Sequence, residues 1–567
     1  MKMRHLFFPF FLFVVLLIEG SGIEFGREIS LYLILFAPIF FFLINKEKIY
    51  IPKKAGAISG LFLITAAVST LASEDLSRSL PHFLFLLSIM LLVLYAYNNK
   101  DDIKKNLPAI VYSLSAIFTG ILLLKQFLNF SLFPFASNGY QLTHPFFYSH
   151  NHLGDFLVLT TILLIYGFFS QKKRNPGAIW ILPVITAIIF SYSRSAYISL
   201  VVPLVFFVFQ RLKNKTRIQV VKIAAPLFLL FSVFVFFIAT SIMESRSIPF
   251  LSSTHQILVK NGGLFAYKSF FSARPKYLEQ GLRSIVNHPL FGVGGDNFFY
   301  ASRETTKNPF TEIVLTSHNI FLDNLADLGV ISGGLFAVLV LLLFLKSERK
   351  VFFLLALAML VNFQTDYTFQ IYSIFLLFFI FLCVSYKEEG VAVKPLTPFL
   401  LSLVPAFLGV IILLSLLLSS LGQYKTAVAL YPFNREAYFP LITSEVRNGE
   451  KDFATADVNK LVVFFPNDAQ ALIFAGDILA GQGLKEKAYH NYYKGFMLDS
   501  YRYPPLIKGL YKMKEQYEGK KSADKFLLSL YTKIYNLEHT LFVPQEYFMA
   551  LNKACVEAEI RCPYVVH

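Results

Sequence analysis

Apolar residues gather into long runs separated by short polar breaks, near 5–19, 29–44, 55–72, 79–96, 107–129, 152–170, 177–190, 196–210, 220–242, 320–346, 350–364, 370–386 and 397–420. A helix that crosses a bilayer needs about 20 predominantly apolar residues. Lipid cannot satisfy a bare backbone, so runs of this kind fold as helices. The pattern predicts an all-α polytopic membrane bundle of about 13 spans over residues 1–420. The runs at 177–190 and 196–210 are short enough to form a re-entrant hairpin instead. Lys2 and Arg4 lead the first run as in a signal peptide, but no A-x-A site follows, and a retained first helix is expected.

The polar breaks are charged asymmetrically. Lys46, Lys48, Lys53 and Lys54 follow the second run, Lys100, Lys104 and Lys105 the fourth, and Lys172, Lys173 and Arg174 the sixth. Arg211, Lys213, Lys215, Arg217 and Lys222 follow the eighth, Lys346, Arg349 and Lys350 the tenth, and Lys387 and Lys394 the twelfth. Short breaks of the opposite parity hold only Arg27, Arg78 and Arg194. Lys and Arg stay on the cytoplasmic side. The N-terminus is therefore expected in the cytoplasm, with loop 243–319 and the tail 421–567 outside.

Composition agrees with a membrane protein. Hydrophobic residues make up 55% of the chain and charged residues 16%, against about 25% charged in soluble domains. Together with a mean hydropathy of +0.56, this excludes a water-soluble enzyme and a disordered scaffold. The net charge of +16 is mostly the orientation signal and does not point to nucleic acid. Three cysteines are too few for a disulfide framework or a zinc site. Cys555 and Cys562 lie in the outer tail, where a disulfide could form.

The tail repeats itself. Pro432-Phe433-Asn434-Arg435-Glu436-Ala437 recurs at Pro466-Asn467-Asp468-Ala469-Gln470-Ala471, and Gly449 and Ala454 recur at Gly483 and Ala488, all at an offset of 34. A worn third copy starts near Ser500. A 34-residue period with small residues at fixed places predicts tetratricopeptide-like helix pairs, which bind or brace and carry no chemistry.

Candidate chemistry gathers in the outer breaks: the 130–155 connection, the Ser191–Ser195 turn, loop 243–319 and the Thr365–Asp366 turn. A loop as long as 243–319 is usually functional. Arg194 either snorkels to water or offers its planar fork to an anionic headgroup. The loop holds Arg274, Lys276 and Arg283, then the glycine run Gly292-Val293-Gly294-Gly295. That run follows no strand of a βαβ unit, and a tight turn is expected rather than a dinucleotide site. Asn319, Asp323 and Asp327 recur every four residues, on one face of the helix expected to enter the membrane. Carboxylates there should look into a cavity. His318, at that helix's N-terminal end, can exchange a proton near neutral pH. His144, His150 and His152 raise a metal reading, but only Asp155 could complete a shell, and interfacial hydrogen bonding is the better role.

Ser191–Tyr197 before a span, Arg274 before Asn287–Phe298, and Ser317–Gly329 opening the next span resemble the O-antigen ligase family in order and spacing. Ser149-His150-Asn151-His152-Leu153-Gly154 before the sixth run is a weaker match. The resemblance covers roughly residues 1–390; the last run and the tail resemble members that carry tetratricopeptide repeats. It implies a GT-C-like, metal-independent glycosyltransferase without cofactor in the bacterial inner membrane. Such an enzyme moves a glycan from an undecaprenyl-pyrophosphate carrier to an acceptor hydroxyl on the outer face, as in lipopolysaccharide or surface-polysaccharide synthesis. His318, Arg194 and Arg274 match the family's essential residues; Arg283 competes with Arg274, and Asn319, Asp323 and Asn151 are expected to bind substrate. The acceptor is a glycan, a lipid or a protein, and the tail could hold a protein partner. A repeat-unit polymerase or a protein O-oligosaccharyltransferase fits the same scaffold. A flippase would need charges within its spans, and a non-catalytic receptor would need none of these residues.

In a cysteine-free background, a single cysteine placed in the tail should react with a membrane-impermeant maleimide in intact cells. Labelling only after lysis would overturn the span count.

Overall fold

In the computed structural model the described residues are 4–23, 25–44, 48–128, 146–170, 180–191, 193–212, 274–305, 314–499, 503–538 and 545–559. The expected ninth span, 220–242, lies outside them, as do 243–273 and 306–313 of the large loop. The other apolar runs form helices α1 (Arg4–Gly20), α2 (Gly26–Ile44), α3 (Lys53–Leu71), α4 (Leu76–Asn98), α5 (Lys100–Leu128), α6 (His150–Ser170), α7 (Ile181–Phe190) and α8 (Arg194–Leu212). The large loop contributes α9 (Arg274–Asn287) and α10 (Phe298–Thr305), and the bundle resumes with α11 (Ile320–Leu345), α12 (Val351–Asn362), α13 (Tyr372–Ser385) and α14 (Leu396–Ser420). Among the described residues, seven of these helices, α2 to α6, α11 and α14, are long and apolar enough to cross a membrane. Helix α13 is buried at every position from Ser373 to Ser385. Its uniformly apolar sequence reflects protein on all sides, as expected of a central helix.

The breaks sort to two ends of the bundle. At one end β1 (Ile49–Pro52) and β2 (Gly390–Val393) pair antiparallel, with Ile49 opposite Val393. Asn98 there bonds the backbone of Tyr50, and Ser347 bridges Tyr386. The breaks after α2, α4, α11 and α13, rich in Lys and Arg, therefore meet. At the other end the α3–α4 turn holds the large loop: Glu74 N–H donates to the Val293 carbonyl at 3.0 Å, and Asn297 Nδ2 donates to Ser79 Oγ at 2.9 Å.

Helix α11 is not one straight entry into the membrane. It breaks at Gly329 (φ 77°, ψ 171°), and a Cβ on Gly333 would stand 2.7 Å from Asn324 O. Segment 320–328 thus folds across the remainder of the helix. Asn319, Asp323 and Asp327 all precede the break, so their stripe belongs to this first segment, and Asp323 and Asp327 line one cavity. The break frees backbone groups that must find partners away from water. The glycine run supplies them: Val293 N–H donates to Ala326 O at 3.1 Å and Gly294 N–H to Asp327 O at 2.7 Å, while Val330 N–H donates to Pro289 O at 2.8 Å. Close approach explains the glycines, since a Cβ on Gly292 (φ +66°) would sit 2.2 Å from Asp327 O.

The tail carries α15 (Tyr424–Leu430), α16 (Arg435–Arg447), α17 (Lys451–Phe464), α18 (Ala469–Gly481), α19 (Lys485–Leu498), α20 (Leu506–Glu518), α21 (Lys520–Glu538) and α22 (Gln545–Glu557). The starts and ends of the pair α16–α17 recur in α18–α19 at an offset of 34, whereas α20 begins 37 after α18. Gly449 and Gly483 occupy the left-handed turns at φ 80° and 82°. Ala454 and Ala488 are fully buried where helices cross. The tail touches the loop end of the bundle. Arg303 Nη1 donates to Asn467 O at 3.1 Å, and Asn467 Nδ2 donates to Glu74 Oε2 at 3.0 Å. Cys555 is disulfide-bonded, and Cys562 lies outside the described residues.

Gly292→Ala should lower the melting temperature of the solubilised protein markedly, by the equivalent of about 2 kcal/mol or more, because a left-handed φ and a backbone clash combine. Gly334→Ala, in the same helix as the break and with open space around it, should be neutral. Equal melting temperatures for the two variants would remove the proposed splice from the fold's essential contacts.

Candidate functional site

The site forms at the loop end, where four polar turns converge. Turn 316–319 is tied by Asp323, whose carboxylate accepts from the Thr316 hydroxyl and from both the N–H (2.7 Å) and the hydroxyl of Ser317. Asn319 caps α11, accepting from Phe321 N–H at 3.1 Å and Leu322 N–H at 3.0 Å. Its Nδ2 donates to Gln364 Oε1 at 2.8 Å, joining this turn to the α12–α13 turn. Asn319 and Asp323, expected on the substrate, use these hydrogen bonds to shape the turn that presents His318. His318 takes φ +60°, a conformation rare for a side chain with Cβ.

The His318 ring stacks on Tyr277 at 5.4 Å and 14° and meets the edge of Tyr367 at 5.0 Å. Its Nδ1 lies 3.6 Å from Asp366 Oδ1, and His152 Nε2 approaches the same oxygen at 3.9 Å. The other ring nitrogen of His152, Nδ1, is 2.6 Å from the Phe147 carbonyl, which can only accept, so this nitrogen carries a hydrogen. Asp366 is 2% exposed and accepts from Tyr367 N–H at 2.8 Å and Ser195 Oγ at 3.2 Å. Burial pushes its carboxyl up, but the approach of His318 and the field of His152 outweigh this and hold it below the ordinary carboxylate value.

The Ser191–Ser195 turn is pinned from below. Asp155 Oδ1 accepts from Ser193 Oγ at 3.0 Å and Ser195 Oγ at 2.9 Å, and its Oδ2 accepts from Thr368 Oγ1 at 2.9 Å. Gly154 permits this closeness, since a Cβ there would lie 2.2 Å from Ser191 Oγ. Arg194, the first residue of α8, stands in the chain between the two pinned serines, and its side chain lies outside the described residues.

Arg274 opens α9, one turn ahead of Tyr277. Residues Tyr277, Gln280 and Ser284 form the buried face of that helix, and the side chain of Arg274 lies outside the described residues. Arg283 falls on the opposite face, with a side chain 53% exposed and a 2.5 Å ion pair to Glu279. Asn151 is half-buried near the start of α6, its N–H donating to Ser149 Oγ at 3.3 Å.

Of the histidines considered for metal, His144 and the side chain of His150 lie outside the described residues, while His152 faces Phe147 and Asp366. Among the described residues no group of three His, Cys, Asp or Glu side chains is arranged to hold a metal ion. The residues that complete the site, Asp366, Tyr367 and Tyr277, were not singled out as site residues. Asp366 was visible as a polar turn between two apolar runs, but nothing in linear order connects it to His318.

The sequence model of the O-antigen ligase family matches residues 177–338. The matched span contains the Arg194 turn, α9 with Arg274, the glycine run and His318, and the match indicates membrane glycosyltransferase chemistry in polysaccharide biosynthesis. No curated protein matches the chain.

Arg283→Ala should leave turnover within about threefold of the parent, because an exposed intrahelical ion pair contributes little. Arg274→Ala should abolish it. Turnover of lipid-linked glycan by purified protein distinguishes them, and the reverse ranking would move the role to Arg283.

Proposed function

We propose that this protein is a glycosyltransferase that transfers a glycan from undecaprenyl pyrophosphate to an acceptor hydroxyl at the outer face of the bacterial inner membrane. The observation that carries this reading is the approach of His318 to a buried Asp366 at the end of the bundle where Arg194 and Arg274 each begin a helix. The acceptor oxygen attacks the anomeric carbon while the bond from that carbon to the pyrophosphate oxygen breaks. The bonding pair leaves with the lipid pyrophosphate, and the hydroxyl proton passes to His318 Nε2. Asp366 favours the proton on Nδ1, which leaves Nε2 free to accept and stabilises the imidazolium that forms. A separation of 3.6 Å is long for a hydrogen bond, and such contacts tighten in the substrate complex.

The guanidiniums of Arg194 and Arg274 answer the charge that grows on the leaving group, with bidentate forks suited to phosphate oxygens. Their position at the starts of α8 and α9 adds the positive ends of two helices. No metal is needed for that balance. The basic breaks at the β1–β2 end support a cytoplasmic placement of that end by the positive-inside rule, and the disulfide of Cys555 supports an oxidising compartment for the tail. Helix pairs recurring every 34 residues support a tetratricopeptide-like surface for a protein partner or acceptor. That surface touches the loop through Arg303, close enough to influence which acceptor arrives. The same chemistry with a growing glycan as acceptor would make a polymerase, and with a protein hydroxyl a protein O-oligosaccharyltransferase.

His318→Ala should lower transfer from the lipid-linked donor by about 10²–10⁴-fold, the usual worth of a general base. Asp366→Asn should lower kcat by about tenfold or more with a smaller change in KM, since it removes the group that orients the base. Arg194→Lys should rescue poorly compared with the parent, because a point charge cannot reproduce the fork. Undiminished transfer by His318→Ala, measured on correctly inserted protein, would sink the mechanism.

A further inference from the structure

Next to the His318 turn lies a cavity of about 50 Å³ whose polar wall includes Arg27, Asp296, Asn324, Asp327, Gln370 and Tyr372, and whose other wall is made of apolar side chains. The proposed proton transfer and phosphate binding use none of these six. Asp323 also lines the cavity, and its carboxylate ties the His318 turn, so cavity and base share a wall. One water needs about 10–15 Å³ on this measure. The space therefore takes about three to five waters, or the hydroxyl-bearing edge of one sugar ring.

The wall chemistry narrows the occupant. Asp327 is 8% exposed; its Oδ2 accepts the Asp296 N–H at 3.0 Å, while its buried Oδ1 has no hydrogen-bond partner among the described residues. A buried carboxylate oxygen left so is costly, and a donor from a ligand would relieve it. Asp296 takes φ +59° at the end of the glycine run, so the splice to α11 places it at the cavity rather than a relaxed local preference. The Arg27 guanidinium lies 4.9 Å from the Tyr372 ring centroid, held over that face. Gln370 Nε2 donates weakly to Leu315 O at 3.3 Å, leaving its carbonyl oxygen for a ligand. An inorganic cation would meet the charge of Arg27, and an anion would meet Asp296 and Asp327. A neutral polyol satisfies both, donating its hydroxyl hydrogens to the carboxylates and accepting from the guanidinium.

We propose that this cavity is a subsite for the hydroxyls of a neutral pyranose in a glycan substrate, holding it beside the base. The assignment to a substrate rests on the transferase reading above; the binding of a sugar does not. Saturation-transfer difference NMR on the full chain in lipid nanodiscs, with methyl α-glycosides of glucose, galactose, mannose and N-acetylglucosamine, tests it without turnover. At least one glycoside should give a signal that falls about tenfold in Asp327→Asn and in Arg27→Gln, the loss expected for one charge-assisted hydrogen bond. Asp327→Asn is nearly isosteric and can still accept the Asp296 N–H, and size-exclusion profiles verify that both variants are folded. In turnover assays, a raised KM for the acceptor assigns the bound sugar to the acceptor glycan, and a raised KM for the lipid-linked donor assigns it to the donor. No signal from any of the four glycosides, or signals unchanged in both variants, overturns the subsite. Sugar binding with no transfer product from the parent protein would instead leave the subsite standing and remove the transferase reading.

Discussion

The architecture of the loop end depends on how a broken helix is healed. At Gly329 α11 turns on itself, and in a membrane bundle each backbone group freed by such a break needs a protein partner. The run Gly292–Gly295 provides two of them, because without Cβ atoms it can come within bonding distance of the Ala326 and Asp327 carbonyls. The loop thereby becomes part of the bundle. Hydrogen bonds from Ser69 and Ser79 to Phe291 and Gly295 then tie it to α3 and α4. A substitution that widens this contact moves Asp296, segment 320–328 and the turn before it together, which is why the splice governs the site.

Polar groups at this end are organised around two buried carboxylates with different tasks. Asp155 gathers hydroxyls from Ser193, Ser195 and Thr368 and so sets backbone geometry. Asp366 stands between two imidazoles and sets electrostatics. The three arginines that fall in the otherwise weakly basic short breaks all belong to this end. Arg27 lines the cavity, Arg78 lies 4.4 Å from the Phe299 ring centroid, and Arg194 follows Ser193. For Arg27 and Arg78 the departure from the charge rule has a local physical cause, since an aromatic face receives each guanidinium.

The tail meets this region by a narrow contact through Arg303, Asn467 and Glu74. Asn467 belongs to the turn that opens the second helix pair, next to Asp468, which caps α18 and pairs with Arg435 at 2.5 Å. The repeat boundary and the docking point therefore share one turn. Tyr431 adds an apolar hold against Leu35, Leu84 and Ile412. Helix pairs that brace each other in series transmit little strain beyond their neighbours, so the first two pairs, not the distal ones, determine how the tail sits on the core.

Much of the fold was legible in linear order because lipid imposes a local rule: an apolar run must be a helix of sufficient length, and basic residues mark one side. The helices α1 to α8 and α11 to α14 fall where the runs lie, and the 34-residue period in the tail matches helix boundaries to the residue, since small residues are required at each crossing. Candidate chemistry was legible in part. His318 and Arg194 stand out as polar residues at span ends and Arg274 and Arg283 as basic residues of the large loop, but linear order does not show that Arg283 lies on an exposed face of α9. The glycine run was expected to be a turn, and α11 to enter the membrane straight. Its break, its repair by residues some 30 positions earlier, and the meeting of His318 with Asp366 follow from contacts between segments distant in the chain. Local periodicity determined the helices; only tertiary packing, by requiring every buried polar group to find a partner, decided which residues share a site.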